Sequence, residues 1–261
     1  MKSLKEFIIN QQSVGKSFFL KKDALRILGI TPEQFRYQAY RLSQKGFLKR
    51  LALNFYMIIP AEYLNLGTLP PLMFIDHLMK HFNQDYYVGL LSAASFYGAT
   101  HQQPMSFHVI TKERFRNIVL DRGLIEFHTY KNCSQAIKIV HTVQTGYVQI
   151  SSREQTMLDL IRFYQASGYL SNVALVIKTL AEECDQKALA LSIKNEKETP
   201  IVQRLGYILK FTGFSHLASI VADELEKRKL RYVLLRPEFH RTTGKKLDPW
   251  MVIVNDILEL E

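Results

Sequence analysis

Sulfur is scarce in this chain. Its 261 residues include two cysteines, Cys133 and Cys184, which stand far apart in sequence. That excludes a disulfide framework and any cysteine-paired metal spacing, and it makes a reducing cytoplasm the expected compartment. Long apolar runs are missing as well, since no stretch approaches the ~18 residues that a membrane span needs. The opening Met1-Lys2-Ser3-Leu4-Lys5-Glu6 is charged and lacks the apolar centre of a signal peptide. Internal repeats and low-complexity tracts are absent. What remains is a globular balance, 47% hydrophobic, 22% charged and 11% aromatic, in a length that suits two or three modules.

Acid is also in short supply, and unevenly so. The net charge is +10, with a sequence pI near 9.5. Residues 1–69 carry eleven Lys or Arg against four Asp or Glu, and residues 227–246 carry eight against one. Residues 70–226 are balanced at fifteen each, and the last fifteen residues hold four acids and no base. Two basic blocks around a neutral middle suggest surfaces for a polyanion. Solvated charged faces are the competing account of both blocks.

Apolar spacing predicts a short helix over residues 3–11, with Leu4, Phe7 and Ile8 on one face. A second helix is expected from Lys21 to Leu28, stopped by Gly29. Thr31 then offers an N-cap, Pro32 the first helical position and Gln34 the partner of a capping box, for a third helix ending at Gly46. Two short strands follow, Phe47-Leu48 and residues 54–59, joined by a basic turn at Lys49 and Arg50. That order describes a winged helix-turn-helix. Beyond Pro70-Pro71, helices are expected over 72–82 and 87–98. Strands are expected over 106–110, 117–120, 124–130, 136–143 and 147–150, as a mainly antiparallel sheet. Ser151-Ser152-Arg153-Glu154 reads as a capping box opening a further helix. Four helices near 169–182, 185–194, 200–212 and 215–229 and short strands at 232–235 and 251–254 complete the chain. The fold class is therefore α+β: the winged helix-turn-helix over 1–69, a mixed α/β body over 70–165 and a helical C-terminal part over 166–261.

The third helix carries the main functional signal. With Phe35, Ala39 and Leu42 inward, Gln34, Arg36, Tyr37, Gln38, Tyr40, Arg41, Gln44 and Lys45 face out, with no acid beyond Glu33 in the first turn. Guanidinium groups suit guanine edges and phosphates, carboxamides suit adenine, and phenols suit phosphate. Thr31 at the helix start belongs to the same expected DNA surface, as do Lys21 and Lys22 on one flank and Lys49 and Arg50 on the other. A winged helix serving protein contact is the alternative. A possible second basic surface comprises Lys227, Arg228, Lys229, Arg231, Arg236, Arg241, Lys245 and Lys246. Cations at a helix C-terminus account for the first few. The rest are expected in a loop broken by Pro237, Gly244 and Pro249.

Other constellations are weaker. Gly15-Lys16-Ser17 resembles the tail of a phosphate loop, but Asn10 stands where the pattern requires glycine. His77 and His81 have a chelating spacing without a third ligand nearby. Asp121, Glu126, Glu154 and Asp159 are the acids available to a metal-dependent nuclease body. Glu154 reads as a cap partner and Asp159 as a solvated acid. No catalytic, metal or cofactor site is expected.

Three stretches together resemble the AbiEi family of abortive-infection antitoxins, transcriptional regulators of type IV toxin–antitoxin systems. They are residues 41–50 (Arg41-Leu42-Ser43-Gln44-Lys45-Gly46-Phe47-Leu48-Lys49-Arg50), residues 87–98 with Gln103-Pro104 and residues 107–111, and residues 148–161. The likeness covers residues 1–165 and thins over the helical tail. It implies a bacterial, non-enzymatic antitoxin that binds double-stranded operator DNA, in inverted repeats, represses its own operon and counteracts a nucleotidyltransferase-like toxin without needing to bind it. One departure is Asn54 where the family wing carries glycine before its aromatic. The rival readings are a winged helix on a metal-dependent nuclease body and a protein-interaction module.

Overall fold

The computed structural model describes residues 3–100, 102–239 and 244–260. Helix α1 (Leu4–Ser13) starts on Ser3, whose side chain accepts from the Glu6 amide, and buries Leu4, Phe7 and Ile8. Strand β1 (Phe18–Leu20), which the apolar spacing did not reveal, leads into α2 (Lys21–Leu28). Gly29 ends α2 with φ at 63°, donating to the Leu25 carbonyl. Helix α3 (Pro32–Gln44) opens on the expected capping box, with both the Thr31 and Gln34 hydrogen bonds in place.

Strands β2 (Leu48–Ala52) and β3 (Phe55–Ile58) pair antiparallel, and β1 joins the far side of β3. This corrects the expected hairpin. Lys49 and Arg50 lie within β2, and the tight turn is Leu53-Asn54, which is not basic. Asn54 takes φ at 62°, a left-handed conformation that asparagine tolerates better than most residues. It therefore makes the turn without a glycine.

The three-stranded sheet is apolar on both faces. Alternation sends Phe19, Leu48 and Ile58 toward the helices, against Leu4, Phe7 and Phe35. The opposite face sends Leu51, Phe55 and Met57 into a cluster with Phe74, Ile75 and Leu78 of α4 (Pro71–His81). Aromatic stacking reinforces the junction: Phe18 lies 4.5 Å from the His77 ring and Phe55 5.0 Å from that of His81.

The body is built on a six-stranded sheet of order β6-β7-β5-β4-β9-β8. Its strands are β4 (Tyr86–Val88), β5 (Ser106–Thr111), β6 (Ile118–Leu120), β7 (Gly123–Thr129), β8 (Lys138–Val143) and β9 (Gly146–Ser151). One expectation changes here. The helix expected over 87–98 is β4 followed by α5 (Leu90–Phe96), with Gly89 between them. A Cβ at Gly89 would fall 2.7 Å from Ile110 Cδ1, so any side chain there would have to displace the Ile110 methyl end. The sheet is mixed: β4 runs parallel to β9 and β5 parallel to β7, with the other three pairings antiparallel.

One face of this sheet packs on α4. The other carries α5 and α6 (Arg153–Arg162); α7 (Tyr169–Glu182), α8 (Gln186–Asn195) and α9 (Thr199–Phe211) pack around α6, and α10 (Ser215–Leu225) packs on α8 and α9. A second small sheet, β10 (Val233–Leu234), β11 (Lys245–Leu247) and β12 (Val252–Val254), closes over α9. Gly206 makes room for Trp250 there, since a Cβ would sit 2.1 Å from Trp250 Cδ1. A single buried cluster runs from Tyr87 to Leu258, across residue 166.

Candidate nucleic-acid interface

Helix α3 presents the face that its periodicity implies. Phe35 and Ala39 are buried and Leu42 half-buried, so Arg36, Tyr37, Tyr40, Arg41, Gln44 and Lys45 point outward. Tyr37 and Tyr40 are 63% and 64% exposed, unusual for two large aromatics one turn apart. The Arg41 guanidinium lies 5.7 Å from the Tyr37 ring centroid. Among the described residues, Arg36, Arg41, Lys45 and Arg50 make no ion pair. An outward row of guanidinium, phenol and carboxamide groups with no acid partners is equipped to hydrogen-bond base edges and phosphates.

Several residues expected on that surface have other duties. Gln38 is half-buried, and its carbonyl accepts the Leu4 amide at 2.7 Å, satisfying the start of α1. Gln34 returns its carbonyl oxygen to the Thr31 amide at 2.9 Å, and the Thr31 hydroxyl accepts from the Gln34 amide at 3.2 Å. Lys49 is paired with Asp121 of the body at 2.7 Å, so it ties β2 to the six-stranded sheet. The Lys21 ammonium lies 5.7 Å from the Phe35 ring. Lys21 and Lys22 line a groove of about 610 Å³ with Asn54, Lys80 and His81. Lys80, which pairs with Asp76, was not anticipated, because only the docking of α4 against α2 and the β2–β3 turn brings it there.

The second basic block is divided between partnered and exposed cations. Arg228 donates to the Glu196 and Ile193 carbonyls at 2.8 and 2.6 Å and pairs with Glu224. Arg236 pairs with Asp256 and Glu238 and lies over the Phe239 ring at 3.8 Å. Lys227 pairs with Glu224. Lys229, Arg231, Lys245 and Lys246 are exposed, and Lys245 and Lys246 belong to β11 rather than to the expected loop. Arg241 lies outside the described residues.

The acids available to a nuclease do not converge. Asp121 holds Lys49, and Glu126 accepts from the Ser106 hydroxyl. Glu154 accepts the Asp185 amide at 3.2 Å; it is not the cap partner expected, since Ser152 caps the Gln155 amide. Asp159 is fully buried rather than solvated. It receives Tyr87 Oη at 2.9 Å and Gln155 Nε2 at 3.0 Å and pairs with Arg162, which also pairs with Glu196 and Glu198. Burial pushes the Asp159 carboxyl up to about 6, against the pull of Arg162, Tyr87 and Gln155. The Arg162 guanidinium lies 3.9 Å from the Tyr130 ring, and Tyr130 Oη donates to Glu196 at 3.3 Å. This network joins the sheet, α6 and the segment before α9. His77 and His81 meet the Thr145 and Leu53 carbonyls separately and do not chelate together.

Residues 87–211 match the model of the AbiEi antitoxin C-terminal domain. That stretch, just under half of the chain, is similar to an AbiEi antitoxin domain. It opens at Tyr87 in β4, closes at Phe211 at the end of α9, and contains the whole Asp159–Arg162–Glu196 network. Its presence supports a toxin–antitoxin role for the chain. The crystal structure of the RV2827C protein from Mycobacterium tuberculosis is similar over 95% of this chain and 89% of that one, with a TM-score of 0.69 at 14% identity. The α+β fold around the AbiEi domain is thus one already seen in a crystal. An antigenic nucleotidyltransferase-like protein from Paracoccidioides brasiliensis covers 60% of this chain and 86% of its own, with a TM-score of 0.32 at 11% identity. No curated protein matches. Among the described residues, no helix is long and apolar enough to cross a membrane.

Proposed function

We propose that the chain is a sequence-specific DNA-binding antitoxin that represses its own operon and counteracts a nucleotidyltransferase-type toxin in the cytoplasm. Its first 69 residues act as a winged helix-turn-helix, and α3 is the recognition helix. The observation that supports this reading best is the outward row Arg36, Tyr37, Tyr40, Arg41, Gln44 and Lys45, free of acid partners and set on a rigid, capped helix. Such a helix lies in the major groove with its early residues at base edges. Arg36 then reads bases, while Arg41, Lys45, Lys21, Lys22 and Arg50 hold phosphates. The chain acts by binding, with no catalytic step.

The test uses the full-length protein and its upstream DNA. Log affinity should fall linearly with log salt, at about −0.9 per phosphate neutralised. Arg36→Ala should narrow the preference for operator over random DNA by ~1–3 kcal/mol. The antitoxin half is read in cells, as growth restored when the chain is expressed with the neighbouring toxin. A flat salt titration would remove the DNA reading, and failure to restore growth would remove the antitoxin reading.

A further inference from the structure

Strands β5 and β7 run parallel and in register, so His108 stands opposite Glu126 and Ile110 opposite His128. Residues two apart on a strand share a face, which brings His108, Glu126 and His128 into one patch. His108 Nδ1 lies 3.0 Å from His128 Nε2, and the ligand atoms of all three residues lie within 4.8 Å of one another. His108 is 3% exposed, while Glu126 and His128 are half-buried, so the patch opens on the β7 side. Burial lowers both imidazoles, His108 to about 4 with His128 adding to the effect.

We infer that His108, Glu126 and His128 form a binding site for one divalent transition metal, with Zn²⁺ the ion that the donors fit. Two imidazoles and one carboxylate are the set zinc takes when it keeps an open fourth position, whereas Mg²⁺ and Ca²⁺ favour oxygen alone. Zinc bonds of ~2.0–2.1 Å place neighbouring ligand atoms ~3.3 Å apart, so the two rings need to part by only about 0.3 Å. Part of a supporting shell is present. Ser106 Oγ donates to Glu126 Oε1 at 2.5 Å, a bond of the kind that orients a metal-ligating carboxylate. Ser92 Oγ accepts the His108 backbone amide at 2.8 Å and so holds β5 rather than the ring.

The test uses the full chain without an affinity tag, stripped with chelator and dialysed against Zn²⁺. One zinc per chain is expected by elemental analysis, together with a rise in Tm. Substitution with Co²⁺ should give visible d–d absorption of a four- or five-coordinate site. His128→Ala and Glu126→Gln, at half-buried positions, should abolish stoichiometric binding and the Co²⁺ band while leaving the far-UV circular dichroism unchanged. Ser106→Ala should weaken zinc about 10–100-fold, and His81→Ala should leave it unaltered. No stoichiometric zinc, or zinc retained in His128→Ala, would overturn the site and leave two imidazoles sharing a hydrogen bond.

Discussion

The two basic stretches carry the same excess charge and arrange it differently. Residues 1–69 and residues 227–246 each have seven more basic than acidic side chains. In the first, α3 holds its cations outward on a helix whose other face is locked by Phe35 and Ala39. In the second, Arg228 and Arg236 turn inward, onto helix carbonyls, acids and aromatic rings, and only Lys229, Arg231, Lys245 and Lys246 among the described residues stay exposed without an ion pair, scattered between a helix end and β11. Charge counted along a chain measures potential, whereas a binding surface needs charge that the fold leaves unpartnered.

The comparison can be broken by substitution. The largest effect is expected from reversing Arg41 and Lys45 to Glu together. A loss of about 100-fold or more in operator affinity should come with Tm nearly unchanged, because neither residue has an ion pair to lose and the Arg41–Tyr37 contact is exposed. Arg228→Ala should do the opposite. It removes two charged hydrogen bonds to helix carbonyls and should lower stability by about 1.5–3 kcal/mol in urea unfolding, with operator binding intact. Gln38→Ala sharpens the contrast inside α3 itself. The Leu4 amide loses its acceptor, so about 1 kcal/mol of stability should go while discrimination between operator and random DNA remains. The smallest effect belongs to Lys49→Ala. Its partner Asp121 is 61% exposed, so the cost should stay below about 1 kcal/mol, read by the same unfolding curve.

Local signals were readable along much of the chain. Gly29 and the Thr31-Pro32-Gln34 cap mark α2 and α3 because each acts through its own neighbours. The four C-terminal helices follow their apolar period for the same reason. Strand β4 was hidden because three apolar residues directly before a helix continue its pattern, and β1 because three residues set no period. The interface residues that changed role did so through distant partners. Gln38 meets an amide 34 positions away, and Lys49 meets an acid 72 positions away. The His108–Glu126–His128 patch depends on the register of two parallel strands, which no spacing along the chain encodes.

The small sheet of β1, β2 and β3 is a wall with a room on either side. Leu51, Phe55 and Met57 face α4, and burial of each contributes about 1.5–3 kcal/mol. A head cut away at residue 69 would therefore present a greasy underside to water and stick to its own kind. For the same reason the head cannot be exchanged between relatives as a detachable part. A replacement would have to bring an underside that matches α4, so head and body must change together.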